Sequence, residues 1–358
     1  MNAPWLSTRG GRARLVDPAG AEGARLEAFV ASHPEGTLFH RPAWLCAVAR
    51  GAGHRAAMLV LEGAQEIAAL LPVNLIHSPI FGRVIASSGF GVGGGLLALP
   101  GVDVAPLVAA VEELAARWSC PGVELRGGPL PEGRPGWRIR ADAHAGFIRP
   151  LAADDEAELL AIPRKQRAEV RKGLAADLAI TIGSSAADRA AHYAVYAESV
   201  RNLGTPVFPR ALFAAMLDGF GADADILTVS HQGVPVASVL SFYHAGAVLP
   251  YWGGGTLAAR GLRANDRMYF ELMRHARARG CTRFDFGRSK TGSGAFAFKR
   301  NWGFDPAPLA YASWQAPGQP LRDADPTSAV HARRIDLWKR LPLPLANLLG
   351  PFIARGLG

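Results

Sequence analysis

Short apolar runs suited to strands alternate along this chain with longer stretches whose apolar residues recur at helical spacing, and the order of these stretches repeats once. Arg55 to Leu61 and Glu66 to Ile76 read as strands, with Glu62-Gly63-Ala64-Gln65 between them as a turn. A glycine-rich stretch, Gly89 to Gly95, follows. A helix is predicted from about Val104 to Trp118, with Leu107, Val108, Val111 and Leu114 on one face. The short apolar strand Gly122 to Arg126 comes next, ending at Gly127-Gly128.

The second half runs through the same order. Asp225 to Ser230 and Val234 to Tyr243 pair around His231-Gln232-Gly233, and Ala247 to Trp252 continues the meander until Gly253-Gly254-Gly255 breaks it. A helix from Asn265 to Arg279 carries Met268, Leu272, Met273 and Ala276 as its apolar stripe and stops at Gly280. The strand Arg283 to Phe286 follows, then Gly287. Duplication of one α/β module accounts for this repetition. Helical segments precede each copy: Gly23 to Ser32 and Pro42 to Ala49 in the first, Arg164 to Ala175, Ala187 to Asn202 and Pro209 to Phe220 in the second. The expected division is a first domain over residues 1–150, closed by the strand-like Trp137 to Arg149, a second over 151–316, and a tail over 317–358. Strands meandering into a helix and a further strand give a mixed sheet with helices on its faces. Such sheets bind ligands where strands diverge, beside helix N-termini and glycine turns.

Length and composition fit that picture. The 358 residues suit two domains of about 150 each, and a 49% hydrophobic content can fill their cores. The formal charge of +9 favours anionic partners, or else reflects a dispersed basic surface. Cys46, Cys120 and Cys281 are far apart and form no C-x-x-C, which argues against a disulfide framework and a zinc site. Met1 to Trp5 lacks a basic region followed by an apolar stretch, so no signal peptide is expected. No run of about 20 apolar residues predicts a membrane span. The expected location is cytoplasmic.

The densest chemistry lies in Phe284 to Phe304. A strand is predicted to empty at Gly287 into a Gly/Ser loop, where Arg288, Ser289, Lys290 and Gly292 suit an oxyanion or phosphate cradle. The same composition suits a surface loop with an aromatic anchor. Lys299, one of five lysines, sits between Phe298 and Trp302, an apolar setting for a cation. Acyl transfer to an amine needs proton removal, stabilisation of the carbonyl oxygen and alignment; Lys299 suits the second. Asp285 suits a proton acceptor or orienting group, and equally a strand carboxylate paired with an arginine. Tyr251 reads as core or cleft wall. On the predicted helix opening the second half, Arg164, Arg167 and Arg171 share a face, flanked by Lys165 and Lys172. That face suits phosphates, or is simply solvated.

Other patterns fail their context. Gly89 to Gly94 matches G-x-G-x-x-G, but Leu96-Leu97-Ala98-Leu99-Pro100 follows it where a dinucleotide site needs a helix. There is no P-loop and no G-x-S-x-G elbow. His33, His40 and His54 lack metal-ligand spacing, and no metal site is expected. In the tail, Trp338, Leu341, Leu343, Leu345, Leu348, Leu349, Phe352 and Ile353 accompany Arg333, Arg334, Lys339 and Arg340. This segment suits an anionic membrane surface. Pro342, Pro344 and Pro351 interrupt a long helix, which suits packing back on the domain instead.

Phe284-Asp285-Phe286-Gly287 running to Phe298-Lys299-Arg300-Asn301-Trp302-Gly303 resembles the C-terminal signature of FemAB-like transferases, and Arg164 to Lys172 resembles the basic segment that opens their second domain. Leu38 to Trp44, Ser78 to Arg83, Gly287 to Lys290 and Trp302 to Phe304 are similar to one branch, the FemAB-related proteins of exosortase/PEP-CTERM systems. The resemblance spans Thr37 to Tyr311. It implies an α/β fold of two tandem GNAT-like (acyl-CoA N-acyltransferase type) domains, mixed sheets with flanking helices. It implies transfer of an acyl or aminoacyl group to an amine or hydroxyl of a cell-envelope or exopolysaccharide precursor, with Phe298 and Lys299 in the transfer step. No cofactor is expected to be held permanently. The implied donors are aminoacyl-tRNA, acyl-CoA or acyl-carrier protein. The implied partner is an anionic or lipid-linked precursor, with tRNA or an acyl-carrier protein as donor-side partner; peripheral contact at the inner membrane face is suggested by the tail's own residues, not by the resemblance. The acetyl-CoA loop [QR]-x-x-G-x-[GA] is not intact near Ala258 to Arg263, which counts against ordinary acetyl-CoA chemistry. The alternative is a non-catalytic GNAT-like module that binds an anionic polysaccharide, a lipid-linked precursor or tRNA.

Overall fold

The computed structural model describes residues 5–8, 11–64, 66–319 and 332–358. The chain forms two compact units, one of Met1–Ala141, Leu309–Asp325 and Phe352–Gly358, the other of Asp142–Pro308 and Pro326–Pro351.

In the first unit, Gly11–Val16, Arg55–Glu62, Ile67–Ser78 and Gly82–Ala86 form an antiparallel run. The strand Gly122–Arg126 then joins in parallel, at Ile85↔Val123 and Ala86↔Glu124 only. Its other edge is taken by Pro306–Gln315, antiparallel from Tyr311↔Arg126 to Gln315↔Gly122. Sequence order gives no hint of this pairing, because a strand's pattern fixes its faces and not its partner. The helix Ala105–Arg117 buries Leu107, Val108, Val111 and Leu114, the predicted stripe, against the sheet.

The second unit orders its strands Ala179–Gly183, Ala224–His231, Val234–His244, Ala247–Gly255 and Arg283–Lys290. The last position belongs to the end of Trp137–Pro150, antiparallel to Arg283–Lys290 from His144↔Lys290 to Pro150↔Arg283. The strand expected to close the first domain therefore gives its final residues to this sheet. The helix Ala264–Ala278 buries Met268, Leu272, Met273 and Ala276, as its periodicity predicts.

Gly253-Gly254-Gly255 does not break the meander. These residues complete the strand, paired with Val239, Ser238 and Ala237. The glycines answer a packing need instead. A Cβ at Gly254 would lie 2.2 Å from Ser199 Oγ, and one at Gly253 would lie 2.9 Å from Val239 Cγ2. Without side chains there, the helix Ala186–Leu203, which carries Ser199, can lie directly on the strand.

The tail contains two helices, Ala332–Arg340 and Leu343–Ala354, the second with Pro351 inside it. Residues 320–331 of the tail lie outside the described residues, as do the side chains of Arg333 and Arg334. No helix among the described residues is long and apolar enough to cross a membrane.

Candidate active site

In the second unit, the parallel strands Ala247–Gly255 and Arg283–Lys290 pair at only two positions, Ala247↔Arg283 and Val248↔Phe284. Beyond these they part. The first stays with Val234–His244 and the second with the end of Trp137–Pro150, leaving a wedge at their carboxyl ends.

The strand bordering that wedge is longer than its sequence suggests. Arg288, Ser289 and Lys290 continue it past Gly287, so they lie on a strand rather than in a loop. Gly287 is the reason. Asp285 opposes Ile148 and Arg288 opposes Gly146, so the strand carries one extra residue, a bulge, at Phe286-Gly287. Gly287 takes φ +68°, open to glycine at no steric cost. Its N–H donates to Asp285 Oδ1 at 2.8 Å. The extra residue keeps Asp285 and Arg288 on one face and turns Ser289, 5% exposed, inward with Phe284 and Phe286. Ser289 Oγ is buried there without a hydrogen-bond partner.

Lys290 then enters a tight turn. Ser293 N–H donates to the Lys290 carbonyl at 3.1 Å across Gly292, which has φ +77°. Ser293 caps the helix Gly294–Asn301, accepting from Phe296 N–H at 3.2 Å. The helix ends in a Schellman motif, which accounts for Trp302-Gly303-Phe304. Gly303 at φ +81° donates to the Arg300 carbonyl at 3.0 Å, and Phe304 N–H reaches back to the Lys299 carbonyl at 3.3 Å. Trp302 is fully buried and anchors this end in the core.

That anchoring turns Lys299 inward. It is 9% exposed, and its Nζ donates to the Arg288 carbonyl at 2.9 Å. The ammonium lies 5.4 Å from the Phe147 ring centre and 5.6 Å from that of Phe286. Burial lowers the Lys299 pKa to about 8, opposed by the Asp285 carboxylate and reinforced by the Arg288 charge. Burial likewise raises the Asp285 carboxyl, with the Gly287 N–H and the charges of Lys299 and Arg283 pulling the other way. The aromatic wall is completed by Tyr269, whose ring packs on Phe286 at 4.8 Å, on Phe298 at 5.7 Å and on Trp302 at 6.0 Å.

Asp285, Arg288, Phe298 and Lys299 are thus brought together. Phe147 and Tyr269 were not legible as members of this group. Phe147 arrives from the first half of the chain, and Tyr269 falls on the edge of a helix stripe already explained by packing. Tyr251 stands on the other strand of the wedge, packed on Trp252 at 4.7 Å and Phe242 at 5.8 Å.

The basic helix Arg164–Ala175 is divided in use. Val170 and Gly173 are buried, Gln166 donates to Asp266 at 2.5 Å and Glu169 pairs with Arg263 at 2.5 Å, joining it to the helix Ala264–Ala278. Arg167 donates to the carbonyls of Leu160 and Ile162 at 2.9–3.1 Å, satisfying the end of the preceding helix Asp155–Ala161. Arg164 and Arg171 are exposed.

The first unit has a wedge of the same origin, but glycine backbones close it. A Cβ at Gly95 would lie 1.8 Å from the Gly127 carbonyl oxygen, and one at Gly128 would lie 2.1 Å from that of Leu96. Gly89 to Gly95 therefore serves close packing. A cavity of about 470 Å³ remains beside it, lined by Gly93–Gly95, Gly127, His40 and Arg126. Two of its polar side chains serve the loop: Arg126 donates to the Gly91 carbonyl at 3.0 Å, and His40 Nε2 lies 3.2 Å from that of Gly95. A second cavity, of about 850 Å³, is lined by Asp155, Ile182, Glu271, Arg274, His275 and Arg277 in the second unit. Lys299 lines neither.

Meander, divergent parallel strands with a helix between them, and a further antiparallel strand beside the second of these define the GNAT fold, present here twice in tandem. The acetyltransferase (GNAT) domain family matches residues 164–300. Among solved structures, FemX aligns at 14% identity and TM-score 0.64 over 82% of this chain and 96% of its own. A tandem GNAT protein from the clavulanic acid biosynthesis pathway aligns at 14% identity and TM-score 0.56, over 86% of this chain and 100% of its own. L-PGS from Bacillus licheniformis aligns at 15% identity and TM-score 0.52, over 98% and 99%. Comparison with curated proteins gives no match.

Proposed function

We propose that this protein is an acyl- or aminoacyl-transferase whose chemistry belongs to the second unit. The observation that carries this reading is Lys299: a lysine 9% exposed, between two aromatic rings, with its pKa drawn down to about 8 beside a strand wedge. An amine or hydroxyl attacks the donor's carbonyl carbon, and the bond from that carbon to the donor's oxygen or sulfur breaks. The leaving group takes up the proton that the nucleophile sheds. Negative charge builds on the carbonyl oxygen in between, and the ammonium of Lys299 is suited to stabilise it. Phe298 holds the helix against Phe286 and Tyr269, and Asp285 fixes the bulge that presents Arg288. Arg288, Lys290, Arg164 and Arg171 supply positive charge for a phosphate-bearing substrate, with Ser289, Gly292 and Tyr251 as further contacts. Arg167, engaged by carbonyls, contributes by holding its helix.

The GNAT match favours acyl-CoA as donor, while the altered loop at Ala258 to Arg263 counts against ordinary acetyl-CoA chemistry; aminoacyl-tRNA, which the FemAB resemblance implies, and an acyl-carrier protein are the other options. The acceptor in this reading is an anionic or lipid-linked cell-envelope or exopolysaccharide precursor, as in an exosortase/PEP-CTERM setting, met from the cytoplasmic side of the membrane. A donor screen over these three classes, scored by mass spectrometry of the acceptor, tests it. Transfer should occur with the native protein and be lost in Lys299→Ala. Full activity in that variant ends the assignment of Lys299.

A further inference from the structure

The helix Leu343–Ala354 packs with the opposite polarity to an ordinary surface helix. Its small residues face inward: Ala346 is 2% exposed, and Gly350 lies so close to Val207 that a Cβ would sit 3.0 Å from Val207 Cγ1. Its large apolar residues face outward. Leu345, Leu348, Leu349 and Phe352, at helical spacings of three and four, are 40%, 65%, 44% and 63% exposed. Leu337, on the preceding helix, is 66% exposed. Of the 14 large hydrophobic residues exposed among the described residues, these five fall within sixteen positions, so the exposure is concentrated and not the scatter normal for a surface.

Charge identifies the partner. Residues 337–358 contain no Asp or Glu, and their charged side chains are Lys339, Arg340 and Arg355. Lys339 and Arg340 are exposed at the end of the helix Ala332–Arg340, which is held in place by Arg201 donating to the Lys339 carbonyl at 3.2 Å. Asp336, exposed one residue before Leu337, is the single acid of residues 332–358 and is outnumbered by Lys339, Arg340 and Arg355. An apolar stripe with an excess of cations beside it suits the interface of an anionic bilayer. Pairing this face with a second copy would bring that excess of like charge together.

We propose that Leu345, Leu348, Leu349 and Phe352, with Leu337, Lys339 and Arg340, form a docking surface for an anionic phospholipid bilayer. The surface does not depend on the transfer chemistry and would bring the protein to lipid-linked acceptors. Co-sedimentation of the full chain with vesicles of phosphatidylcholine, alone or mixed with phosphatidylglycerol, tests it without any donor present. Binding should favour the anionic vesicles and weaken with salt. The double variant Leu348→Asp/Leu349→Asp should bind about tenfold or more weakly, and Lys339→Glu/Arg340→Glu should lose the preference for anionic lipid. Leu257→Asp, at an exposed leucine on another turn, should bind like the native chain. Circular dichroism melts of each variant establish that the fold is kept. Undiminished binding by the folded leucine double variant overturns the proposal. So does a native dimer, seen by sedimentation, that the double variant splits while neither form binds vesicles.

Discussion

Lys299 and Arg288 are joined by a 2.9 Å hydrogen bond from the lysine Nζ to the arginine carbonyl, tying the helix Gly294–Asn301 to the strand immediately past its bulge. The bond uses one of the three donors on the ammonium. Lys299→Met keeps most of the side-chain volume and removes the charge. In the proposed transfer it should lower kcat by about 100-fold or more, the scale of losing an oxyanion donor. Its stability should equal or exceed that of the native chain, because a buried charge without an ion-pair contact is removed. Single-turnover kinetics and urea unfolding check the two halves separately.

The same burial sets a pH dependence. Lysine's ordinary pKa is 10.5 and the folded value is about 8. Below the folded value both states hold the proton, and the destabilisation from burying the ammonium is fully present. Between the two values only the unfolded chain holds it, so folding stability gains as pH rises. The difference in urea midpoint between the native chain and Lys299→Met should therefore shift toward the native chain across that window. A flat difference would show that Lys299 is not buried as a cation. Transfer that relies on the ammonium should decline as pH passes about 8.

Gly287 has no atom within 4 Å of where a Cβ would stand, so substitution there tests backbone conformation alone. Gly287→Ala should cost about 1–2 kcal/mol through its positive φ. Gly287→Asn should cost less, since asparagine tolerates that region better. Equal stabilities by chemical denaturation for all three would mean that the bulge is not formed.

Gly254 tests the opposite case, where space is missing. Gly254→Ala would set a methyl group 2.6 Å from Ser199 Cβ and should cost about 1–3 kcal/mol by overpacking. Ser199→Gly alone should cost about 1 kcal/mol as a helix glycine. The double variant should be more stable than the sum of the two predicts, and a double-mutant cycle measures that coupling.

The two-fold repetition, the helix stripes at Leu107 to Leu114 and Met268 to Ala276, and the oddity of a lysine between aromatics were all legible in the sequence, because each depends on neighbours a few residues away. What the glycines do was not. Gly253–Gly255 complete a strand, Gly287 extends one through a bulge and Gly95 closes a wedge, and a glycine's meaning rests on what lies where its Cβ would be. Strand partnership was equally hidden: that Pro306–Gln315 pairs with Gly122–Arg126, and that Phe147 comes to hold Lys299, depends on contacts across long stretches of chain. Local spacing thus determined the elements and nominated Lys299. Tertiary packing alone decided its burial, its lowered pKa and its tie to Arg288, because desolvation comes from residues distant in sequence.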